Sequence, residues 1–405
     1  MRAPKLPKFN LSRRGFFRTA AAGAAVGAVA VVTSGCSQAS KDTTSDPVVV
    51  DSDSATIIRD EFEYSDAGLE ATNTWTLPLG TVLRPAEGNW IPATIAGSSA
   101  TPMVKAGVLS LTTGTLSEVV SEPLGAAATT VIYDVRCSDS AFAWVELDTS
   151  TRAWKLYASG FSQGALTGDT KTLWEADSNF DPAPLAVSGK KVIWQVQPSL
   201  TGSKTSTHSF CYLWEVGTSD AKATVESAGR FSTKPTISGD NVILSPRVRA
   251  DEGTYYGVTA YSLSDDMSTQ VDQLVMPSTV KPFRATRIGE KFVISVEASY
   301  SSGGLLGKMG TYIGTKNGDF LRMDREPSEG PAGNGQVYII KSQSSYYVVD
   351  GENKTYTSIS SADRCVDYGE YPARQGECDT FVTFSTVKDA NTGYPSSVTV
   401  RTFAL

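Results

Sequence analysis

The stretch Val187-Ser188-Gly189-Lys190-Lys191-Val192-Ile193-Trp194 is rewritten along this chain. Fifty residues later it reads Ile237-Ser238-Gly239-Asp240-Asn241-Val242-Ile243-Leu244, and fifty after that Arg287-Ile288-Gly289-Glu290-Lys291-Phe292-Val293-Ile294. A shorter copy follows, Gly335-Gln336-Val337-Tyr338-Ile339-Ile340. In each, a glycine stands three residues before an apolar marker (Val192, Val242, Phe292, Tyr338) that opens a β-branched and aromatic run. A turn residue between two such runs reads as strand, tight turn, strand.

Weaker copies extend the series: Trp90 in Asn89-Trp90-Ile91, Phe142 in Ala141-Phe142-Ala143-Trp144-Val145, and Phe381 in Thr380-Phe381-Val382-Thr383-Phe384. The markers 90, 142, 192, 242, 292, 338 and 381 are spaced 52, 50, 50, 50, 46 and 43 residues apart. A period of roughly 40–50 residues holding several short strands is the signature of propeller blades. A second apolar strand follows each marker, at 108–111, 154–157, 211–216, 258–263, 312–314, 346–349 and 398–403. A third follows in several units (117–120, 171–174, 272–275, 319–323), and the segment before the glycine, with Pro184, Pro235, Pro282 or Pro331, supplies the fourth.

The reading is therefore all-β: a single β-propeller over residues 56–405 with seven four-stranded blades. Six is the alternative, because the first and last copies are degenerate. The last unit reaches Leu405 one strand short. Asn73-Thr74-Trp75-Thr76-Leu77 is expected to supply that strand and close the ring, which leaves only short, protected edges.

Pro235-Thr236-Ile237-Ser238-Gly239 leading into Val242-Ile243, with its counterpart ending in Val192-Ile193-Trp194, resembles the repeats of TolB-like propellers over roughly residues 80–387. The resemblance implies a protein-binding platform, some relatives capping peptidases, and it brings no catalytic motif.

The first 35 residues hold 6 of the 36 Lys and Arg and no acid, so the remainder carries 30 basic against 43 acidic residues. An acidic body argues against a nucleic-acid partner. Residues 1–35 read as an address: a basic start, Ser12-Arg13-Arg14-Gly15-Phe16-Phe17-Arg18, and a small-residue Ala/Gly/Val run to Val32 that is too short for a membrane span. Arg13, Arg14, Phe16 and Phe17 resemble the twin-arginine export signal, with Phe17 for the family's Leu and Arg18 for its Lys. That implies passage through the twin-arginine translocase. Thr33-Ser34-Gly35-Cys36 resembles a bacterial lipobox, with Thr33 where Leu is usual, and implies a lipid on Cys36. Residues 36–55, rich in Ser, Thr and Asp, read as a flexible tether. The expected location is the cell membrane, lipid-anchored, on the extracytoplasmic side.

Four further cysteines in an exported chain allow two disulfides. Cys365 with Cys378 is the expected pair, at about 3 kcal/mol of loop closure, leaving Cys137 with Cys211. No Cys/His spacing suggests a metal, and no cofactor is implied.

Chemistry has few footholds. His208 is the chain's one histidine and stands in a polar loop with no Gly-x-Ser-x-Gly elbow to match it. The acid pairs Asp251-Glu252 and Asp265-Asp266, and Asp350 in Asp350-Gly351-Glu352-Asn353, read as turn chemistry. Trp144, Trp154, Trp174, Trp194 and Trp214 read as inter-blade core. Three long connections after the marker strand, 197–210, 246–257 and 298–310, emerge on one face of a propeller, where insertions often mark a binding surface. With His208 they carry Arg247, Arg249, Tyr255, Tyr256 and Tyr300, and Arg and Tyr are favoured at recognition hot spots. The functional expectation is a non-enzymatic platform for an envelope protein, peptide or glycan. The alternatives are a cell-wall or glycan-active enzyme using carboxylates of the propeller channel, and an assembly factor for another envelope complex.

Overall fold

Every marker falls on the first or second residue of the second strand of a sheet. The third sheet is representative: Leu185–Ser188, Lys191–Val196, Ser209–Glu215 and Lys222–Ser227, each antiparallel to the next. Gly189, φ +51°, makes the turn between its first two strands. The computed structural model describes residues 44–48, 54–99, 101–204, 207–298, 309–343, 345–366 and 369–405, and Thr44–Leu405 form one compact unit. Arg13, Arg14, Phe16, Phe17, Cys36 and Tyr300 lie outside the described residues.

Among the described residues the strands form seven sheets. The first runs from Thr81–Leu83 to Leu116–Val120, the second from Thr130–Cys137 to Ala165–Ala176, and the third is given above. The fourth runs from Thr236–Ser238 to Gln270–Val275, the fifth from Arg284–Ile288 to Leu321–Met323, and the sixth from Ala332–Gly333 to Thr355–Ile359. The seventh holds Tyr371–Pro372, Thr380–Lys388, Pro395–Ala404 and, paired antiparallel to the last of these, Asn73–Pro78.

The marker strands read as continuous apolar runs because both of their faces are covered. In Lys191–Val196, Val192 and Trp194 pack toward the second sheet with Trp154 and Leu156, while Ile193 packs toward the fourth with Val242 and Leu244. Such clusters join each sheet to the next, and Leu77, Val382 and Val400 of the seventh sheet meet Leu83, Ile91 and Leu109 of the first. The sheets thus close into a β-propeller, and the strand donated from residues 73–78 completes the ring. Trp144, Trp154, Trp194 and Trp214 are buried in these seams and Trp174 is partly buried there.

Two expectations need correction. All four described cysteines are free. Cys365 bridges Val387, near the end of Thr380–Lys388, whereas Cys378 precedes the start of that strand. A strand of this length spans on the order of 25 Å, well beyond the 7 Å limit between Cα atoms for a disulfide. Cys137 packs in the seam between the first and second sheets and Cys211 in that between the third and fourth, so they do not pair either.

The described residues of 36–55, expected to be a flexible tether, instead lie on the ring. Pro47 bridges Val275, Ser45 donates its N–H to Gln273 Oε1 at 3.0 Å, and Ala55 is buried. From there the chain follows the rim of the ring. Thr56–Ile57 adds a parallel strand to the fifth sheet and Glu63–Tyr64 one to the sixth, before Asn73–Pro78 enters the seventh.

Candidate functional site

The first strands lie innermost, since those of the second, third, fourth and fifth sheets contact one another in turn. They line an axial channel whose two ends differ.

At the end bearing the glycine turns the channel is filled by the chain itself. The connection 373–379 of the seventh sheet leaves its own sheet and crosses to the opposite side. Gly376–Glu377 pairs parallel with Ala332–Gly333 of the sixth, and Glu377 N–H donates to Ser238 Oγ of the fourth at 3.1 Å. Gly289 N–H of the fifth donates to Glu377 Oε2 at 3.4 Å. Arg374 donates to Ala86 O at 2.6 Å and to Gly88 O, tying the plug to the first sheet. Glu87 accepts from Gly189 N–H at 3.0 Å across the same end, and burial raises its pKa. The serine of the repeated phrase belongs to this lock: Ser138 donates to Gly189 O at 2.5 Å, and Ser238 donates to Arg287 O, each one sheet onward. Beneath the plug a cavity of about 70 Å³ runs along the axis between Glu377 and Gln375 at one end and Arg136 and Lys234 on its wall.

Toward the other end stands a charged layer. Arg84 follows the first strand of the first sheet; Asp134 and Arg136 lie on that of the second; Lys234 and Arg284 stand at the outer ends of those of the fourth and fifth; Glu329 precedes that of the sixth. Arg136 bonds Asp134 at 2.5 Å, Arg84 Nε lies 3.6 Å from the same carboxylate, and Arg284 lies 3.9 Å from Glu329. These groups act on each other across the axis. Burial lowers the pKa of Lys234, Asp134 pulls it back up, and Arg136, Arg284 and Arg84 push it down. Burial likewise lowers Arg136 and Arg284, and raises Glu329 against the pull of Arg284, Lys341, Lys234 and Arg84. Lys234 is nonetheless exposed. Beside Asp134 a register shift expels Tyr133 from the ladder, leaving it 47% exposed.

The long connections 197–210 and 246–257 leave the marker strands at this second end. His208 stands half exposed with Nδ1 2.5 Å from Glu226 Oε1. Arg247 and Val248 pair with Tyr256 and Tyr255 in a short hairpin that brings those three candidate residues together. Arg249 is already engaged: it donates to Ser45 O at 3.2 Å and to Asp46 at 2.9 Å, and pairs with Glu252 at 3.0 Å. It holds the entering chain against the ring. Of the remaining acids, Asp350 accepts from Glu352 and Asn353 N–H and Asp265 from Thr269 N–H, which is turn chemistry, whereas Asp266 pairs with Lys191 and Lys222.

The channel charges escaped the sequence reading, yet a signal for them exists. Asp134, Lys234 and Arg284 each stand eight residues before their marker, a column that is charged in these three units and holds Pro184 in the unit of Val192.

Neither a protein-family model nor a curated protein sequence matches the chain. Among solved structures, the β-propeller domain of the Trilobed protease from Pyrococcus furiosus is similar at 9% identity and a TM-score of 0.49, covering 82% of this chain and 94% of that one. An acylaminoacyl peptidase from Pyrococcus horikoshii is similar at 11% identity and a TM-score of 0.49, covering 80% of this chain and 52% of that one. Prolyl endopeptidases give 9% identity and a TM-score of 0.46, with 84% and 48% covered. The chain thus spans about half the length of these peptidases.

Proposed function

We propose that this chain is an exported lipoprotein whose propeller, one blade to each of the seven sheets, is a non-enzymatic binding platform for an envelope protein, peptide or glycan. Arg13, Arg14, Phe16 and Phe17 serve the twin-arginine translocase, and lipid on Cys36 holds the body at the extracytoplasmic side of the cell membrane. The observation that carries the binding reading is the asymmetry of the ring. One end of the axis is filled by 373–379, while the other bears the long connections with His208, Arg247, Tyr255 and Tyr256. Insertions gathered on one face of a rigid scaffold are where recognition residues concentrate.

The enzyme reading has one specific support, Glu329. A partly buried carboxyl with a raised pKa is suited to donate a proton.

The test places a photo-crosslinking residue at position 208 or 255, and at 190 on the plugged face, in intact cells. Wild-type anchoring fractionates with membranes and Cys36→Ser with the soluble phase, and discrete adducts arise from 208 or 255 only. Adducts from 190 alone, or Cys36→Ser remaining on membranes, would overturn the respective half of the proposal.

A further inference from the structure

We infer that the open half of the axial channel is a binding site for a small oxyanion, one presenting carboxylate or phosphate oxygens, seated among Arg84, Arg136, Lys234 and Arg284. The inference stands apart from the loop-face reading, because these side chains come from the innermost strands and not from the long connections.

Four cations from four sheets face two carboxylates, Asp134 and Glu329, with Glu297 exerting a weaker pull on Arg284. Asp134 is shared between Arg136 and Arg84, and Glu329 lies 3.9 Å from Arg284, a loose ion pair. Lys234 forms no ion pair within 4 Å among the described residues, and Asp134 attracts it while three guanidinium groups repel it. Arg84 Nε and the Ser328 hydroxyl, the latter adjacent to Glu329, are buried without hydrogen-bond partners. Buried polar groups are normally satisfied, and like charges gathered around one axis call for a counter-charge. An oxyanion supplies both what the donors lack and what the cations need, and Arg presents the fork that carboxylate and phosphate match.

The site is also a dead end. The plug and Glu87 close the turn side, which leaves the loop side as the entry for the proposed ligand. The body is acidic overall, so a positive cleft in it concentrates anions by focusing and not by bulk charge. Arg136 and Lys234 also line the cavity of about 70 Å³ beneath the plug.

Calorimetric titration of the full chain with inorganic phosphate and with citrate, against chloride at constant ionic strength, tests this. One-site binding with a Kd of about 1 mM or tighter is expected for at least one of them. Lys234→Met and Arg284→Gln should each weaken it about tenfold, the size of one lost charged hydrogen bond. Glu329→Gln, which removes a competing carboxylate, should tighten it, and Lys155→Ala on the outer surface should leave it unchanged. The opposite signs guard against misfolding, since a damaged channel does not bind more tightly. Saturation by citrate and not phosphate assigns a carboxylate ligand, and the reverse a phosphorylated one. Failure of both anions to bind up to tens of millimolar, equal weakening by Lys234→Met and Lys155→Ala, or weaker binding by Glu329→Gln overturns the inference.

Discussion

Gly376 shows how one residue can hold the plug in place. Its φ is +76°, and a Cβ there would stand 2.2 Å from Ile237 O and 3.3 Å from Thr286 Oγ1. Only glycine accepts that backbone and that approach together. Gly376→Ala should therefore cost about 2–4 kcal/mol, read as a lower urea midpoint with unchanged slope. An unchanged midpoint would mean that the plug is not seated as described. At this scale the sequence was legible only where the repeat was regular. The turn glycines declared themselves, but Gly376 lies in the last, degenerate unit. Likewise the charges at 134, 234 and 284 are single residues about fifty or more apart, visible only when the units are stacked in register, and Arg84 falls two positions out of that column. Cys365 and Cys378 misled for a related reason. Nearness along the chain says nothing when a whole strand lies between the two ends.

Among the elements, the entering segment 44–78 is the least legible and among the more consequential. Its strand pairings with the fourth, fifth and sixth sheets are bridges or two-residue parallel additions, so they impose no alternation on the sequence. Its anchors are side chains. Ile58 and Phe62, one helical turn apart, bury themselves between the fifth and sixth sheets, and full burial of such a side chain contributes about 1.5–3 kcal/mol. Arg59 forks onto Asp324 at 2.7 and 2.8 Å.

That ion pair has a pH signature. The hydrogen bonds from Arg59 hold Asp324 below its ordinary 3.8, so its stabilisation is complete above that value and lost as pH falls through the lowered pKa. With both side chains roughly a quarter exposed, Asp324→Asn should cost about 1 kcal/mol at pH 7. Chemical denaturation of both proteins from pH 7 to pH 2 should show that gap closing at the acid end. A gap that stays constant with pH would show that the carboxylate's charge is not what anchors the segment.

For the whole molecule, the repeat period was enough to read the ring and its closing strand, because every second strand is covered on both faces and must be apolar throughout. Function was less legible, because its groups belong to no single repeat. The candidate loops are insertions, and the axial layer is assembled from innermost strands or their ends in five sheets. The ring accordingly has one end sealed by its own chain and one end carrying loops and charge.

The most direct measurement of the binding account is a crosslinked pull-down from intact cells, comparing the native chain with one whose connections 197–210 and 246–257 are cut to Gly-containing turns. The account predicts that a specific partner captured by the native chain is lost from the shortened one, while circular dichroism reports the same β content. An unchanged partner in the shortened chain would contradict it and move recognition away from these loops.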